Sequence, residues 1–233
     1  MRGPSFLALL MVAPASAQVF GSEQRIATPQ NSVADVQPAD LDGDGKVDVV
    51  WGGATFTDRI AWSRNLGGGV FGAPQLITLL ADYPSSLYVI DVDGDGDLDL
   101  LSASFFDSKI AWYANSGNGQ FGVQQLIHQD TSGAQAVHSA DLDGDGDPDV
   151  LSASAYSSRI AWYENLGGGA FGSQAVIATT GTANPMAVLA RDIDGDGAPD
   201  VLVAEFSSSR ITWLQNLGNG LFGPIQVVSS QAS

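Results

Sequence analysis

The sequence predicts an all-β fold, namely a β-propeller built from four four-stranded blades of about 50 residues each. Three observations lead to this prediction. An acidic nine-residue motif occurs four times at near-constant spacing, the segments around it repeat with it, and each repeat holds four short apolar segments separated by turn residues. Repeats of this length are typical of solenoids and propellers, and four short strands per repeat indicate a propeller blade.

The acidic motif reads Asp-x-Asp-Gly-Asp-Gly-x-x-Asp and begins at residues 40, 91, 141 and 192, in steps of 51, 50 and 51 residues. Carboxylates this crowded repel one another unless a cation lies among them. Side-chain oxygens at positions 1, 3, 5 and 9 and the backbone carbonyl of position 7 are the hard ligands that Ca²⁺ takes, and glycine at position 6 permits the sharp turn. We therefore expect about four calcium ions per chain.

The expected ligands are the carboxylates of the four loops together with one backbone oxygen in each. They are Asp40, Asp42, Asp44, Lys46 (backbone O) and Asp48; Asp91, Asp93, Asp95, Asp97 (backbone O) and Asp99; Asp141, Asp143, Asp145, Asp147 (backbone O) and Asp149; and Asp192, Asp194, Asp196, Ala198 (backbone O) and Asp200.

The segments that follow each loop repeat as well. An apolar strand comes first, then a strand of the type Arg59–Trp62, an Asn-x-Gly turn and a Phe-Gly pair. The repeats are expected at residues 31–78, 82–128, 132–178 and 183–228 of a propeller domain spanning 18–233, preceded by an extra outer strand at 19–27. One tryptophan recurs in every repeat, and we interpret it as a wedge between blades rather than a platform for sugars: Trp62, Trp112, Trp162 and Trp213.

The Phe-Gly pairs, the aspartate loops and the Ile-Ala-Trp-Tyr-Glu-Asn strand resemble FG-GAP or VCBS-type repeats, the blades also found in integrin α-subunit propellers. The resemblance covers almost all of residues 20 to 228. It implies a propeller in which the calcium loop joins the innermost strand of a blade to the second. It does not imply one activity, because one fold hosts many functions.

Three assemblies remain open for four blades: a closed four-bladed ring, an open arc, and half of an eight-bladed dimer. A closed ring is favoured, because four near-identical blades bury both blade faces when the chain closes on itself. In the dimer, edge strands of two chains would pair, and the segment Phe20–Ile26 of each chain would add to a sheet of the other.

The first 17 residues have the pattern of a secretory signal peptide, with a basic residue, an apolar stretch and Ala15–Ala17 before cleavage at Gln18. We therefore expect a secreted, extracellular protein without a membrane span. The formal net charge of −17 argues against nucleic acid or anionic membranes as partners, and the absence of cysteine excludes disulfides. An apolar fraction of 44% argues against disorder.

No catalytic motif stands out, so we expect no enzyme. The leading hypothesis is a ligand-binding or adhesion module for an extracellular protein or glycan, with structural calcium. The alternatives are an extracellular hydrolase or lyase acting on polysaccharide, and a purely structural scaffold. Ligand specificity is expected where the repeats differ, as at Gln37, Tyr88, His138 and Leu189.

Overall fold

The computed structural model describes residues 33–53 and 58–230, and the regular structure in that part of the chain consists of β-strands. The expected signal peptide and the extra outer strand at 19–27 lie outside the described residues. The strands are β1 (Val33–Ala39), β2 (Asp48–Gly53), β3 (Ile60–Ser63), β4 (Asn65–Gly67), β5 (Val70–Phe71), β6 (Gln75–Thr78), β7 (Pro84–Ile90), β8 (Asp99–Ser104), β9 (Lys109–Tyr113), β10 (Gln125–Gln129), β11 (Ala134–Ala140), β12 (Asp149–Ser154), β13 (Arg159–Tyr163), β14 (Ala175–Thr179), β15 (Pro185–Arg191), β16 (Asp200–Glu205), β17 (Arg210–Leu214) and β18 (Gln226–Ser230).

These strands form four antiparallel, four-stranded sheets in which neighbours in sequence are neighbours in space. The orders are β1-β2-β3-β6, β7-β8-β9-β10, β11-β12-β13-β14 and β15-β16-β17-β18. The small hairpin β4–β5 lies in the first sheet's turn region, and the other three repeats have a single bridge there between the asparagine and the phenylalanine. The prediction of an all-β propeller with four four-stranded blades is confirmed.

The hydrophobic core lies between blades rather than within one sheet. One cluster joins Val50 and Ile60 of the first blade to Leu87 and Leu100 of the second. Equivalent clusters join the second blade to the third and the third to the fourth. Second strands are covered on both faces, which explains why β8 and β12 are buried along their whole length.

The recurring tryptophan fills the gap between neighbouring blades. A Cβ added to Gly119 would lie 2.1 Å from the ring of Trp62, and one added to Gly169 would lie 2.3 Å from the ring of Trp112. A Cβ added to Gly220 would likewise lie 2.1 Å from the ring of Trp162. The tryptophans of the first three blades therefore pack beneath the Asn-x-Gly turn of the next blade, as the wedge interpretation requires.

The inner strands of successive blades pack in order, β1 on β7, β7 on β11 and β11 on β15. Within residues 33–53 and 58–230, no comparable packing joins β15 to β1. Four blades thus follow one another in an arc, and closure of a four-bladed ring is not shown.

Candidate metal centres and an aromatic face

Each acidic loop joins the innermost strand of a blade to its second strand, where the resemblance places it. The turn is held by the first aspartate. In the second loop, Asp91 accepts hydrogen bonds from the backbone N–H of Gly94 at 2.8 Å and of Gly96 at 3.0 Å. Both glycines have positive φ, 77° and 95°, a conformation that a side chain would strain. The motif glycines therefore wrap the backbone around the first carboxylate.

Positions 1, 3 and 9 of every loop come together as a carboxylate triad. Within each triad, one oxygen from each side chain lies within 4.8 Å of the others. Calcium binds oxygens at about 2.3 to 2.6 Å, so oxygens at this separation can all contact one ion placed between them. The four triads are Asp40, Asp42 and Asp48; Asp91, Asp93 and Asp99; Asp141, Asp143 and Asp149; and Asp192, Asp194 and Asp200. An all-oxygen anionic set of this size fits Ca²⁺.

Positions 5 and 7 are not members of the triads. The side chain of position 5 accepts a hydrogen bond from the N–H of position 7, as in Asp147 N–H to Asp145 Oδ1 at 2.9 Å. The same bond joins Asp97 to Asp95 and Ala198 to Asp196. These residues close the turn around the triad, and their direct contact with an ion stays a prediction.

The aspartate at position 9 is buried and carries two structural hydrogen bonds. In the third loop, Asp149 Oδ1 accepts from the N–H of Asn165 at 2.8 Å and Oδ2 accepts from the N–H of Leu142 at 2.9 Å. Asp48, Asp99 and Asp200 accept the equivalent pairs of bonds. This aspartate therefore fixes both ends of its loop to the blade in addition to belonging to the triad.

Burial also changes the acidity of position 9. Desolvation raises the pKa of Asp99 and of Asp149 to about 6, although the two backbone hydrogen bonds oppose the shift, and the pKa of Asp48 is raised for the same reason. A buried carboxylate with neighbouring aspartates is costly to ionise. A divalent cation between the three carboxylates would offset that cost.

The asparagine of each Asn-x-Gly turn links neighbouring blades. Asn115 Nδ2 donates to the carbonyl of Leu41 in the preceding blade at 2.8 Å and to Leu98 of its own loop at 3.0 Å. Asn165 and Asn216 repeat this arrangement toward Val92 and Leu142. This role was not predicted from the sequence, although asparagine recurs there at one register.

The first loop differs from the others because two basic side chains form ion pairs with its aspartates. Arg64 contacts Asp42 at 2.6 Å and Asp44 at 2.9 Å, and Lys46 contacts Asp44 at 2.8 Å. These hydrogen bonds, first that of Lys46 and then that of Arg64, lower the pKa of Asp44 to about 2. The residues at the position of Arg64 in the other repeats are uncharged or acidic: Ala114, Glu164 and Gln215. The first loop is thus partly neutralised by the protein itself.

A group of aromatic side chains occupies the opposite face of the propeller. The hairpins between second and third strands lie at the far ends of the second strands, away from the acidic loops. At their tips, Phe106, Tyr156 and Phe206 are 62%, 72% and 71% exposed. This register was not predicted from the sequence, although an aromatic residue recurs there at 56, 106, 156 and 206. Phe56 lies outside the described residues.

Four aromatic rings of the second and third blades form a contiguous patch, which we call the aromatic face: Tyr83, Phe105, Phe106 and Tyr156. Ring centroids are 5.2 Å apart for Tyr83 and Phe106, 5.3 Å for Phe105 and Phe106, and 5.0 Å for Phe105 and Tyr156. Asp82 and Asp107 adjoin the patch, and Lys109 pairs with Asp107 at 2.9 Å. An exposed apolar patch with a polar edge is typical of an interaction site.

A second concave region lies along the inner strands, where the repeats differ. Tyr88, His138, Leu189 and Arg191 line a cavity of about 360 Å³. The rings of Tyr88 and His138 are 4.5 Å apart. Burial, with a smaller contribution from the positive charge of Arg191, lowers the pKa of His138 to about 4. The imidazole is therefore neutral at physiological pH.

The fold and the repeated loops define a β-propeller with an aspartate loop in every blade, and comparison with known proteins specifies its family. The model of the FG-GAP-like repeat matches residues 40–102, 91–152, 141–203 and 192–233. The chain belongs to the FG-GAP-like repeat family. No protein of curated function matches the sequence, and the described residues contain no helix long and apolar enough to cross a membrane.

Two solved structures resemble the chain over most of its length. One is a lectin from Agrocybe aegerita, described as recognising non-reducing terminal N-acetylglucosamine, with 25% identity, a TM-score of 0.59, and coverage of 83% of this chain and 51% of the lectin. The other is BBS1N in complex with ARL6DN, with 15% identity, a TM-score of 0.52, and coverage of 84% and 57%. The second likeness concerns the fold alone. The chain spans about half the length of these proteins.

Proposed function

We propose that this protein is a secreted, calcium-binding β-propeller that works as a glycan-binding module. The observation that carries the proposal is the aromatic face, where exposed rings of two blades adjoin carboxylates. Sugar rings present apolar C–H faces that pack on aromatic side chains, while their hydroxyl groups donate hydrogen bonds to acceptors nearby. Asp82 would supply such an acceptor at the edge of the patch, beside the ion pair of Asp107 and Lys109.

The similarity to the Agrocybe aegerita lectin supports a sugar as the ligand. The net charge of −17 disfavours an anionic glycan, because like charges repel at long range. A neutral glycan that ends in N-acetylglucosamine is therefore the first probe. Adhesion to a glycan-coated surface follows as the biological use of such a module, and we assign no enzymatic activity to it.

Calcium has a structural role in this proposal. The triads lie at the opposite end of the second strands from the aromatic face, so a bound ion stabilises the blade without contacting the glycan. Binding to the folded state alone adds about 2.7 kcal/mol per independent site at a hundredfold excess over Kd. Chelation should therefore lower the melting temperature substantially.

The glycan-binding proposal is tested with an array of neutral and acidic glycans, followed by calorimetric titration of the strongest ligand. Phe106→Ala and Tyr156→Ala should each weaken binding about tenfold, because each removes one stacking surface. Val123→Ala is the matched control, since Val123 is 84% exposed but precedes β10 at the calcium-loop end of its blade. Equal affinities for all four proteins would refute the assignment of the aromatic face.

The rival activity and the cellular location need separate measurements. Release of reducing ends from common polysaccharides would favour a hydrolase or lyase over a binding module. A protein recovered from the culture medium with Gln18 at its N-terminus would support secretion, whereas retention of the first 17 residues inside cells would contradict it.

A further inference from the structure

A continuous series of hydrogen bonds runs through the acidic loops from blade to blade. The residue at position 2 of a loop donates its N–H to the position 9 aspartate, as in Val92 to Asp99 at 2.8 Å. Its carbonyl accepts from the asparagine of the next blade, as in Asn165 Nδ2 to Val92 O at 2.8 Å. That asparagine donates its own N–H to the next position 9 aspartate, Asp149, at 2.8 Å.

The series extends from Asp48 in the first blade to Ile193 in the fourth and has two incomplete ends. At one end, no side-chain amide among the described residues donates to the carbonyl of Ile193. At the other end, Asn65 Nδ2 donates to Val47 of its own loop at 2.9 Å, and no bond to a preceding blade is found in the described part of the chain. Asn65 therefore matches the internal asparagines except for the one bond that crosses between blades.

Side-chain burial shows the same difference at the fourth blade. The internal position 2 residues Leu41, Val92 and Leu142 are 2%, 1% and 1% exposed, because the next blade covers them. Ile193, at the same position, is 47% exposed. Trp213 occupies the register of the tryptophan wedge, and none of the described glycines lies against its ring. The fourth blade thus presents the carbonyl acceptor half of a junction already built three times in this protein.

We infer that the outer face of the fourth blade docks on the first blade of a second copy of this chain. The occupant follows from the continuity of the junction, since within residues 33–53 and 58–230 no asparagine donates to the carbonyl of Ile193 and no carbonyl of another blade accepts from Asn65. Two copies related by a two-fold axis along the central channel form two identical junctions and complete a ring of eight blades. The inference does not depend on glycan binding.

The inference is tested by sedimentation equilibrium of the full chain across the micromolar range, with calcium present. We expect twice the chain mass for the wild type. Ile193→Glu places a charge in the junction while altering a side chain that is exposed within a single arc, so it should give the mass of one chain. Asn65→Asp removes the amide donor but keeps the oxygen that accepts from Gly67 N–H, and it should weaken association in the same direction.

Leu217→Glu is the matched control for a new charge on the same blade. Leu217 is 60% exposed, and so is Leu166 at the equivalent position of the internal third blade, so this position lies outside the junctions. Circular dichroism of each variant confirms folding. A wild type with the mass of one chain overturns the inference, as does a dimer that persists in both junction variants. A mass that grows without limit overturns closure by two copies.

Discussion

Replacing Asp149 with asparagine separates the structural role of position 9 from its role toward calcium. The carboxylate is buried and accepts one backbone N–H on each oxygen. Asparagine keeps one acceptor oxygen and turns an NH₂ group toward the second N–H. One charge-assisted hydrogen bond is lost, and a buried donor remains without a partner. If position 9 were only a metal ligand, the substitution would have no effect on the calcium-free protein.

The expected loss follows from the two bonds and the burial. A hydrogen bond to a charged acceptor contributes about 1.5 to 3 kcal/mol, and leaving its partner unsatisfied costs a similar amount. Part of that loss is offset, because the raised pKa of Asp149 shows that its charge is itself costly to bury. We therefore expect Asp149→Asn to lower the free energy of unfolding by about 2 to 3 kcal/mol without calcium. This corresponds to about 5 to 10 °C in melting temperature for a domain of this size.

Asp143→Asn is the comparison, because Asp143 belongs to the same triad but accepts only from the N–H of Asp145, at 3.2 Å. Urea unfolding over a calcium series, extrapolated to zero calcium and followed by tryptophan fluorescence, gives the free energy of each variant. Asp143→Asn should match the wild type within about 0.5 kcal/mol at zero calcium and lose stability only as calcium is added. An unchanged free energy for calcium-free Asp149→Asn would refute the structural role.

Three further outcomes are expected. Arg64→Ala should increase the calcium affinity of the first loop and leave that of the other three loops unchanged, because it removes a cation from two carboxylates. Calorimetric titration measures these affinities, and equal or weaker binding at the first loop would contradict the expectation. Gly169→Ala should lower the free energy of unfolding by about 3 kcal/mol or more, because the added methyl group meets a tryptophan ring. Gly168 also has a positive φ but has nothing within 4 Å of an added Cβ, so Gly168→Ala should lower it by only about 1 kcal/mol. Similar chemical-unfolding midpoints for the two variants would argue against the wedge. The pKa of His138 is lower in the folded protein than in the unfolded chain, so its contribution to stability is lost as pH falls from about 6.5 toward 4. His138→Gln should therefore reduce the difference in the free energy of unfolding between pH 7 and pH 5. An unaltered difference would exclude the effect.

The repeat pattern was sufficient to predict the architecture. The acidic motif and the Phe-Gly pairs gave the blade count, the strand order and the position of the loops, because each of these features depends on residues near one another in sequence. The tryptophan wedge was also predictable, since a large side chain at one register of every blade has to pack between sheets. Closure of the ring was not predictable, because it depends on the rotation between blades, which no single repeat encodes.

The aspartates of the loops show which contacts could be predicted from the motif and which could not. An aspartate at position 9 has the residue type of a calcium ligand, and the structure places it in a triad. One of its two backbone hydrogen bonds comes from a turn 16 residues further along the chain and is not visible in the motif. The ion pairs of Arg64 cross 20 residues within the first repeat and distinguish one loop from three others of nearly the same sequence.

The asparagine of each Asn-x-Gly turn has one role within its own repeat and another between neighbouring repeats. As a turn residue it is expected from its tolerance of tight backbone conformations, and that local role explains one side-chain bond, from the N–H of Gly167 to Asn165. Its Nδ2 group, however, holds the loop of the preceding blade, while its N–H holds the aspartate of its own. A shift of one loop is therefore transmitted to the next blade through two hydrogen bonds and one side chain. In a repeat protein, stability is the sum of terms within repeats and terms between neighbours. Here the same asparagine contributes to both terms, so an ion bound in one loop would also stabilise the junction beside it.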